Sequence, residues 1–412
     1  MREAWKNFKL CVLAAACVLL LGVGVSTEAS EPAPAQVQKL EQIGGNISSV
    51  KISWNAVIED NIRYKVELSE TIGFSSMRSE IAKGPETTFA GLSAGKDYYV
   101  RVSAFNYKTN VYGKPSKTLK VVTAPEGSST QDFRQTDAGT ASITLKWNKN
   151  QRANAYQLEY YKSGDGNNRK IIRLEDVRTY TVKRLARETE YTFRLYPVRK
   201  SASGYRAVSG TYSAIYGRPV PGKVTGLTAV FSSPSDTKLN LSWNKREHAD
   251  CYQYQIYTAS GKKDKKLLTG KIGINGSSQS LSDNKLQKAQ FLKVRIRGGV
   301  NLSSGTKYGV WSGWLYFSKQ PEISIKNVRG GQKLNWKKVP GADSYTVKIS
   351  QEKRSGYKKV QTVSRTSITV AKCGKSALRS GKTYYYTVVA NKKAGKKTYH
   401  GSKTHCYSLV YR

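Results

Sequence analysis

Residues 92–104 read LSAGKDYYVRVSA: a leucine, a polar turn, then a run in which apolar and polar side chains alternate. A period of two sends successive side chains to opposite faces of a strand. Tyr98, Val100, Val102 and Ala104 are therefore predicted to point inward, and Tyr99, Arg101 and Ser103 outward. The pattern returns at 185–197 (LARETEYTFRLYP), with Tyr191, Phe193 and Leu195 inward, and at 378–390 (LRSGKTYYYTVVA), with Tyr384, Tyr386 and Val388 inward. In all three the tyrosine stands six residues after the leucine. Six residues after Leu286 stands Leu292, so that copy is predicted to lack the hydroxyl, although FLKVRIRGG keeps the alternation.

Trp54, Trp147, Trp243 and Trp336 sit in matching contexts (KISWN, TLKWN, LNLSWN, KLNWK), spaced 93, 96 and 93 residues apart. Each is followed nine or ten residues later by a tyrosine in an alternating run: Tyr64, Tyr156, Tyr252 and Tyr345. A fixed long period marks a repeat architecture. Within each copy about seven short alternating runs are broken by Gly, Ser, Asn and Pro, and none holds a helical period. The expected fold is all-β, with four tandem antiparallel sandwiches of about 100 residues each. The expected boundaries are 35–125, 126–222, 223–321 and 322–412, with short Pro/Gly/Ser-rich joins at 123–130, 217–222 and 318–322. Such joins predict a semi-extended string of domains.

The runs SWN, RYKVEL, LSAGKDYYVRVSAFN and GKPSKTLKVVT resemble strands B to G of a fibronectin type III domain, and PAQVQKL and PGKVTGL resemble its strand A. The resemblance covers the chain beyond residue 34 and is weakest in the third copy. It implies an immunoglobulin-like sandwich in which the leucine packs over the core and the tyrosine hydroxyl bonds the backbone upstream. YGVWSGW at 308–314 resembles the WSxWS box of cytokine-receptor fibronectin domains, with Leu315 in place of its last serine. That likeness implies interleaving of Trp311 and Trp314 with the outward Arg295 and Arg297, either as a structural cation–π ladder or as a ligand-stacking surface.

The first 29 residues stand apart. Arg2, Lys6 and Lys9 precede an apolar run at 10–25, followed by small residues, which predicts a secretory signal. The run falls short of the roughly 20 residues that span a bilayer, so the expectation is cleavage rather than a retained anchor, with no stable membrane span afterwards. Residues 30–34 are expected to be a disordered lead. Cys251, Cys373 and Cys406 then remain, too few for a disulfide framework. Cys373 and Cys406 are either bridged or two separate thiols.

Catalytic patterns are thin. His248, His400 and His405 have no partner at a motif spacing, and adjacent His405 and Cys406 point to opposite faces of a strand. SGDGNNRK at 163–170 has the look of a calcium loop but lacks the closing glutamate; it is read as an exposed turn. The tripeptides at Asn46, Asn240, Asn275 and Asn301 match glycosylation acceptors and are read as unmodified. No enzyme activity, cofactor or metal is expected.

Charge adds what the sandwich does not require. Basic residues number 69 against 28 acidic, for a net charge of +41. The net charge climbs along the four copies as +4, +8, +11 and +18. The densest clusters fall in predicted turns: 261–266, then Lys353, Arg354, Lys358 and Lys359 between strands C and C′ of the last copy, then Lys392, Lys393, Lys396 and Lys397 between its strands F and G. Those two turns lie at opposite ends of a sandwich, so the last copy is expected to be cationic at both tips. The expected function is a secreted or surface-associated binding or spacer protein. Its composition is similar to that of Gram-positive surface proteins, and its site would be extracellular or at the cell wall. The expected partner is an anionic cell-surface polymer or acidic polysaccharide, with extracellular nucleic acid a further polyanion. The alternatives are a protein–protein adhesin using the Trp311/Trp314 and Arg295/Arg297 surface, and an accessory module of a polysaccharide-active enzyme system.

Overall fold

The computed structural model describes residues 31–126, 131–232, 238–259, 264–273, 276–286, 291–404 and 406–412. The expected leader, the join residues 127–130, Lys262, Lys263, Asn275 and His405 lie outside the described residues. Among those described, every element is a strand except one 3-10 turn at Asn284–Leu286. The chain divides into two compact units. The first takes residues 31–41, Ile52–Thr87 and Tyr98–Leu119; the second takes Gln42–Lys51, Thr88–Asp97 and Lys120–Arg412.

In the first unit the strand Ile62–Ser69 lies antiparallel to Met77–Ala82 on one side and to Asp97–Asn106 on the other. Tyr98, Val100, Val102 and Ala104 are buried as the alternation requires. Ser103 departs from it, being covered although on the opposite face. Trp54 meets Tyr64 edge-on at 5.2 Å. The Tyr64 hydroxyl accepts from the Val57 N–H at 2.9 Å. On the outer face Glu67 accepts from Arg101 at 2.6 Å and pairs with Lys65 at 2.9 Å. Burial opposes ionisation of Glu67, but hydrogen bonds from the two cations hold its carboxyl below the usual range.

The second unit shows the sandwich most fully in segment 126–222. A three-stranded sheet runs in the order Thr179–Lys183, Ser142–Lys146, Arg134–Ala138. A five-stranded sheet runs Lys170–Leu174, Ala155–Lys162, Tyr191–Lys200, Arg206–Val208, with Ser213–Gly217 also paired to Tyr191–Lys200. Ile143, Leu145 and Trp147 from the first sheet share one core with Tyr156, Leu158, Phe193 and Leu195 from the second. The same strand orders recur in 223–321, around Lys238–Ser242 and Cys251–Thr258, and in 322–412, around Gly331–Trp336 and Ser344–Ser350.

The four tryptophans occupy equivalent places. The backbone N–H of each donates to a carbonyl just before the strand three positions on in the chain, at Pro85, Arg178, Ser277 and Thr366. Each packs against its following tyrosine at 5.1–5.5 Å. The indole N–H of all four is buried and without a hydrogen-bond partner. The tyrosine hydroxyls close the strand B–C loop: Tyr156 accepts from Asn150 N–H, Tyr252 from Arg246 N–H and Tyr345 from Val339 N–H, at 2.8–3.0 Å. Sequence pattern located these tyrosines but gave no hint of the hydroxyl's role, because its partner is an irregular loop.

The expected corner bond is present in the second and last segments. Tyr191 accepts from Ala186 N–H at 2.8 Å, and Tyr384 from Arg379 N–H at 2.9 Å. Leu292 fills the same place in the third segment as a buried apolar group. Its neighbour Phe291, with no exposed surface, turns the other way and packs in the core of the last segment. Phe291 N–H donates to the Pro340 carbonyl at 2.8 Å.

Candidate functional site

The last segment holds both lysine clusters, and the register confirms that they lie at opposite ends. Ser344 pairs with Asn391 and Ser350 with Tyr385, so the turn after Ser350 and the turn after Ala394 point in opposite directions. Their surroundings differ. Lys397–Lys403 lies along the third segment: Tyr399 stacks on Tyr316 at 3.7 Å between ring centroids, and a Cβ on Gly401 would overlap Ser318. Asp343 takes the Lys393 N–H at 2.6 Å and the Lys392 ammonium at 3.5 Å, leaving Lys392 only 12% exposed. Lys393, Lys396 and Lys397 remain exposed at that tip, whereas Lys392 is neutralised by Asp343. Lys392, Lys393, Lys396 and Lys397 belong to a hairpin whose second strand is built into the joint with the preceding segment.

The other cluster stands free of that joint. Lys353, Arg354, Lys358 and Lys359 are exposed. A small hairpin, Lys372–Cys373 with Ser376–Ala377, packs beside Lys358–Val363 and brings Lys372 and Lys375 to the same end. The Lys358 side chain runs over Gly374 at the tip of that hairpin. Lys348 stands opposite Lys359 across the strand pair. Among the described residues none of Lys353, Arg354, Lys358, Lys359, Lys372 and Lys375 forms an ion pair. The turn is braced from below: the Tyr357 hydroxyl lies 2.9 Å from the Lys353 carbonyl and 3.1 Å from Cys406 Sγ. Burial, and then the Cys406 contact, push the Tyr357 phenol up, so it stays a neutral donor. Cys373 and Cys406 are both free thiols and half-buried, neither bridged nor fully buried. The contribution of 372–375 was missed in the sequence because that hairpin is distant along the chain and only the sheet brings it alongside.

Trp311, Trp314, Arg295 and Arg297 come together as one ladder. Arg295 lies over Trp311 at 4.4 Å and Trp314 at 4.5 Å; Arg297 lies over Tyr308 at 4.6 Å and Trp311 at 4.3 Å. Lys293 extends it over Trp314 at 4.6 Å and pairs with Asp264 at 2.6 Å. Both guanidiniums also donate to side-chain carbonyls of the neighbouring strand, Arg295 to Gln255 and Arg297 to Gln253, at 2.6–3.0 Å. Ser312 of the box clamps the strand: its N–H donates to Ile296 O at 2.8 Å and its hydroxyl accepts from Ile296 N–H at 3.0 Å. Thr404 makes the same pair of bonds to Val388, and Ser116 to Val102. Trp311 thus lies between two guanidiniums, each of which also bonds the neighbouring strand.

Ion pairs also tie the second and third segments. Glu188 accepts from the Arg246 guanidinium and from the Gly222 N–H at 2.9 Å. Arg218 meets Asp250 at 3.0 Å, and Lys307 meets Asp137 at 3.1 Å. Burial works against ionising Glu188, yet the Arg246 and Gly222 donors hold its carboxyl below the usual range. No group of three or more His, Cys, Asp or Glu able to hold a metal ion occurs among the described residues.

These sheets define an all-β protein of repeated antiparallel sandwiches. No protein-family model matches the chain. The tyrosine-protein phosphatase Lar of Drosophila melanogaster is 26% identical over 246 residues, which is 57% of this chain and 12% of that protein. The chain thus spans about an eighth of the length of that curated relative. Among solved structures, the FN1–FN3 domains of chicken CNTN1 are 14% identical over 70% of this chain and 99% of that one, with a TM-score of 0.29. A two-domain fibronectin type III segment of chicken tenascin is 16% identical over 44% of this chain and 97% of that one, with a TM-score of 0.21.

Proposed function

We propose that the chain is a secreted array of four fibronectin type III-like sandwiches that acts as a binding and spacing protein, holding an anionic polymer at the exposed end of its last repeat. The observation that carries this reading is the set of six exposed cations, four from one turn and two from the hairpin beside it, none of them ion-paired among the described residues. Like charges gathered without counter-charges repel one another, and a polyanion relieves that repulsion while releasing its own counterions. The polymer would carry phosphate or carboxylate groups along its length, as cell-wall teichoic acid and acidic polysaccharides do. The ladder reading as a docking surface has less support, because both its guanidiniums already donate through two nitrogens to Gln255 and Gln253.

The test is retention of the full chain on immobilised poly(glycerol phosphate) at low salt. The distal variant K353E/R354E/K358E/K359E should elute early, whereas K396E/K397E should stay close to wild type. Equal losses in the two, or none in the first, would remove the distal end as the site.

A further inference from the structure

The exposed turn 163–170 of the second segment borders a cleft for which the polymer reading has no use. It is lined by Tyr161, Tyr212 and Tyr216 and by the small Gly164, Thr192 and Ala214, which leave an open depression of about 480 Å³. That lies within the size range of small-molecule clefts. The register explains the shape. Thr192 stands between Tyr161 and Tyr216, and Ala214 stands opposite Arg194, so small residues separate the large ones. Tyr216 is 71% exposed and Tyr212 40%, unusual for rings on an ordered strand or loop.

Arg194 supplies the charge. Its guanidinium lies over Tyr161 at 5.4 Å and Tyr212 at 4.7 Å, and it forms no ion pair among the described residues. Tyr196 braces the arrangement by packing at a tilt against Tyr212 at 5.0 Å while its hydroxyl donates to Glu159 at 3.1 Å. A planar fork held between two rings is set in advance for two-point recognition of a carboxylate. On the far side of Tyr161 a second depression carries Lys162, Lys170 and Arg184 against Asp165. The loop between the two is fixed, with Asn168 donating to Asp165 at 2.8–2.9 Å and Arg169 to the Gly166 carbonyl at 2.9 Å.

We infer that this cleft binds an acidic pyranose, the carboxylate of a uronate unit on Arg194 and its C–H face against the exposed tyrosine rings. The C–H face of a sugar is apolar with slightly positive hydrogens and meets the negative face of a π system favourably. A protein side chain as hot spot calls instead for an enclosed, desolvated pocket, and this cleft is open, its small lining groups glycine, threonine and alanine. The cleft does not depend on the lysines of the last segment.

The probe is tetragalacturonic acid titrated calorimetrically into the full chain at physiological salt, against neutral maltotetraose and a tetraglutamate peptide. The acidic sugar should bind, with the neutral sugar and the peptide each at least about tenfold weaker. Y216A, on an exposed ring, should keep the wild-type melting curve and weaken binding about tenfold; R194Q should abolish it. K353E/R354E/K358E/K359E should leave it unchanged, which separates this site from the polymer site. Absence of binding at millimolar sugar, undiminished binding by Y216A, or peptide binding equal to the sugar would each overturn the proposal.

Discussion

The second and third segments build the same sheet and use its outer face in opposite ways. In the third, Trp314 stands beside Arg295, and rings and cations fill the face from Lys293 to Tyr308. In the second, the residue opposite Arg194 is Ala214, and the face opens into a cleft between tyrosines. The ends of the two segments differ in the same sense. The second keeps its corner tyrosine bonded at home. The third has leucine there, and the adjoining Phe291 goes into its neighbour's core. One scaffold therefore yields a surface closed on itself or one left open, and the choice lies in single residues whose strand positions are equivalent.

The contrast can be broken most severely at Phe291. Phe291→Ala should cost about 3–5 kcal/mol in urea unfolding, as for other buried phenylalanines, and should loosen the last segment, because the ring, though carried by the third, packs in the last segment's core. A loss confined to the third segment would mean that the joint does not couple them. Trp314→Ala should cost about 2 kcal/mol by removing the ring shared by Lys293 and Arg295. Tyr191→Phe should cost about 1 kcal/mol for the corner hydrogen bond; the third segment has no such hydroxyl to lose. The reciprocal change, Ala214→Trp, should close the cleft of the second segment, abolish tetragalacturonate binding and stabilise by about 0.5–1 kcal/mol. Unchanged sugar binding in that variant would place the ligand elsewhere.

The smallest effect should come from acid. Glu188 has a folded pKa below its ordinary value of 4.5. Its contribution is therefore complete above that value and is lost as pH falls through the lower folded one. The joint between the second and third segments should loosen on acidification below about pH 4.5, and E188Q should remove that pH dependence. Hydrogen exchange of the Gly222 amide reads the effect directly.

Most of the fold was open to reading along the chain. The tryptophan spacing, the leucine six residues before its tyrosine and the period of two all describe local geometry, and local geometry is what alternation encodes. Leu292 shows the same point from the negative side, since a missing hydroxyl is visible without any structure. The ladder was legible through its resemblance and its alternation, which put Arg295 and Arg297 on one face. What escaped were relations set by distant parts of the chain. Phe291 reads as an ordinary strand-flanking aromatic until Pro340 is found beside it. Lys372 and Lys375 are scattered charges until the sheet lays their hairpin next to Lys358. Lys397 opens a strand that lies along the third segment, and nothing near it in sequence signals that Tyr399 meets Tyr316. The cleft of the second segment was hidden for a further reason: its shape comes from Thr192 and Ala214, and small residues carry no motif.

The exposed cations of the last segment are tested most directly by the salt dependence of binding to soluble poly(glycerol phosphate), measured on the full chain and on K353E/R354E/K358E/K359E. Affinity of the wild type should fall linearly on logarithmic axes with a slope set by the several phosphates it neutralises, and the variant should bind weakly with a much shallower slope. A wild-type affinity indifferent to salt, or a variant with the same slope, would contradict polyanion capture at that end.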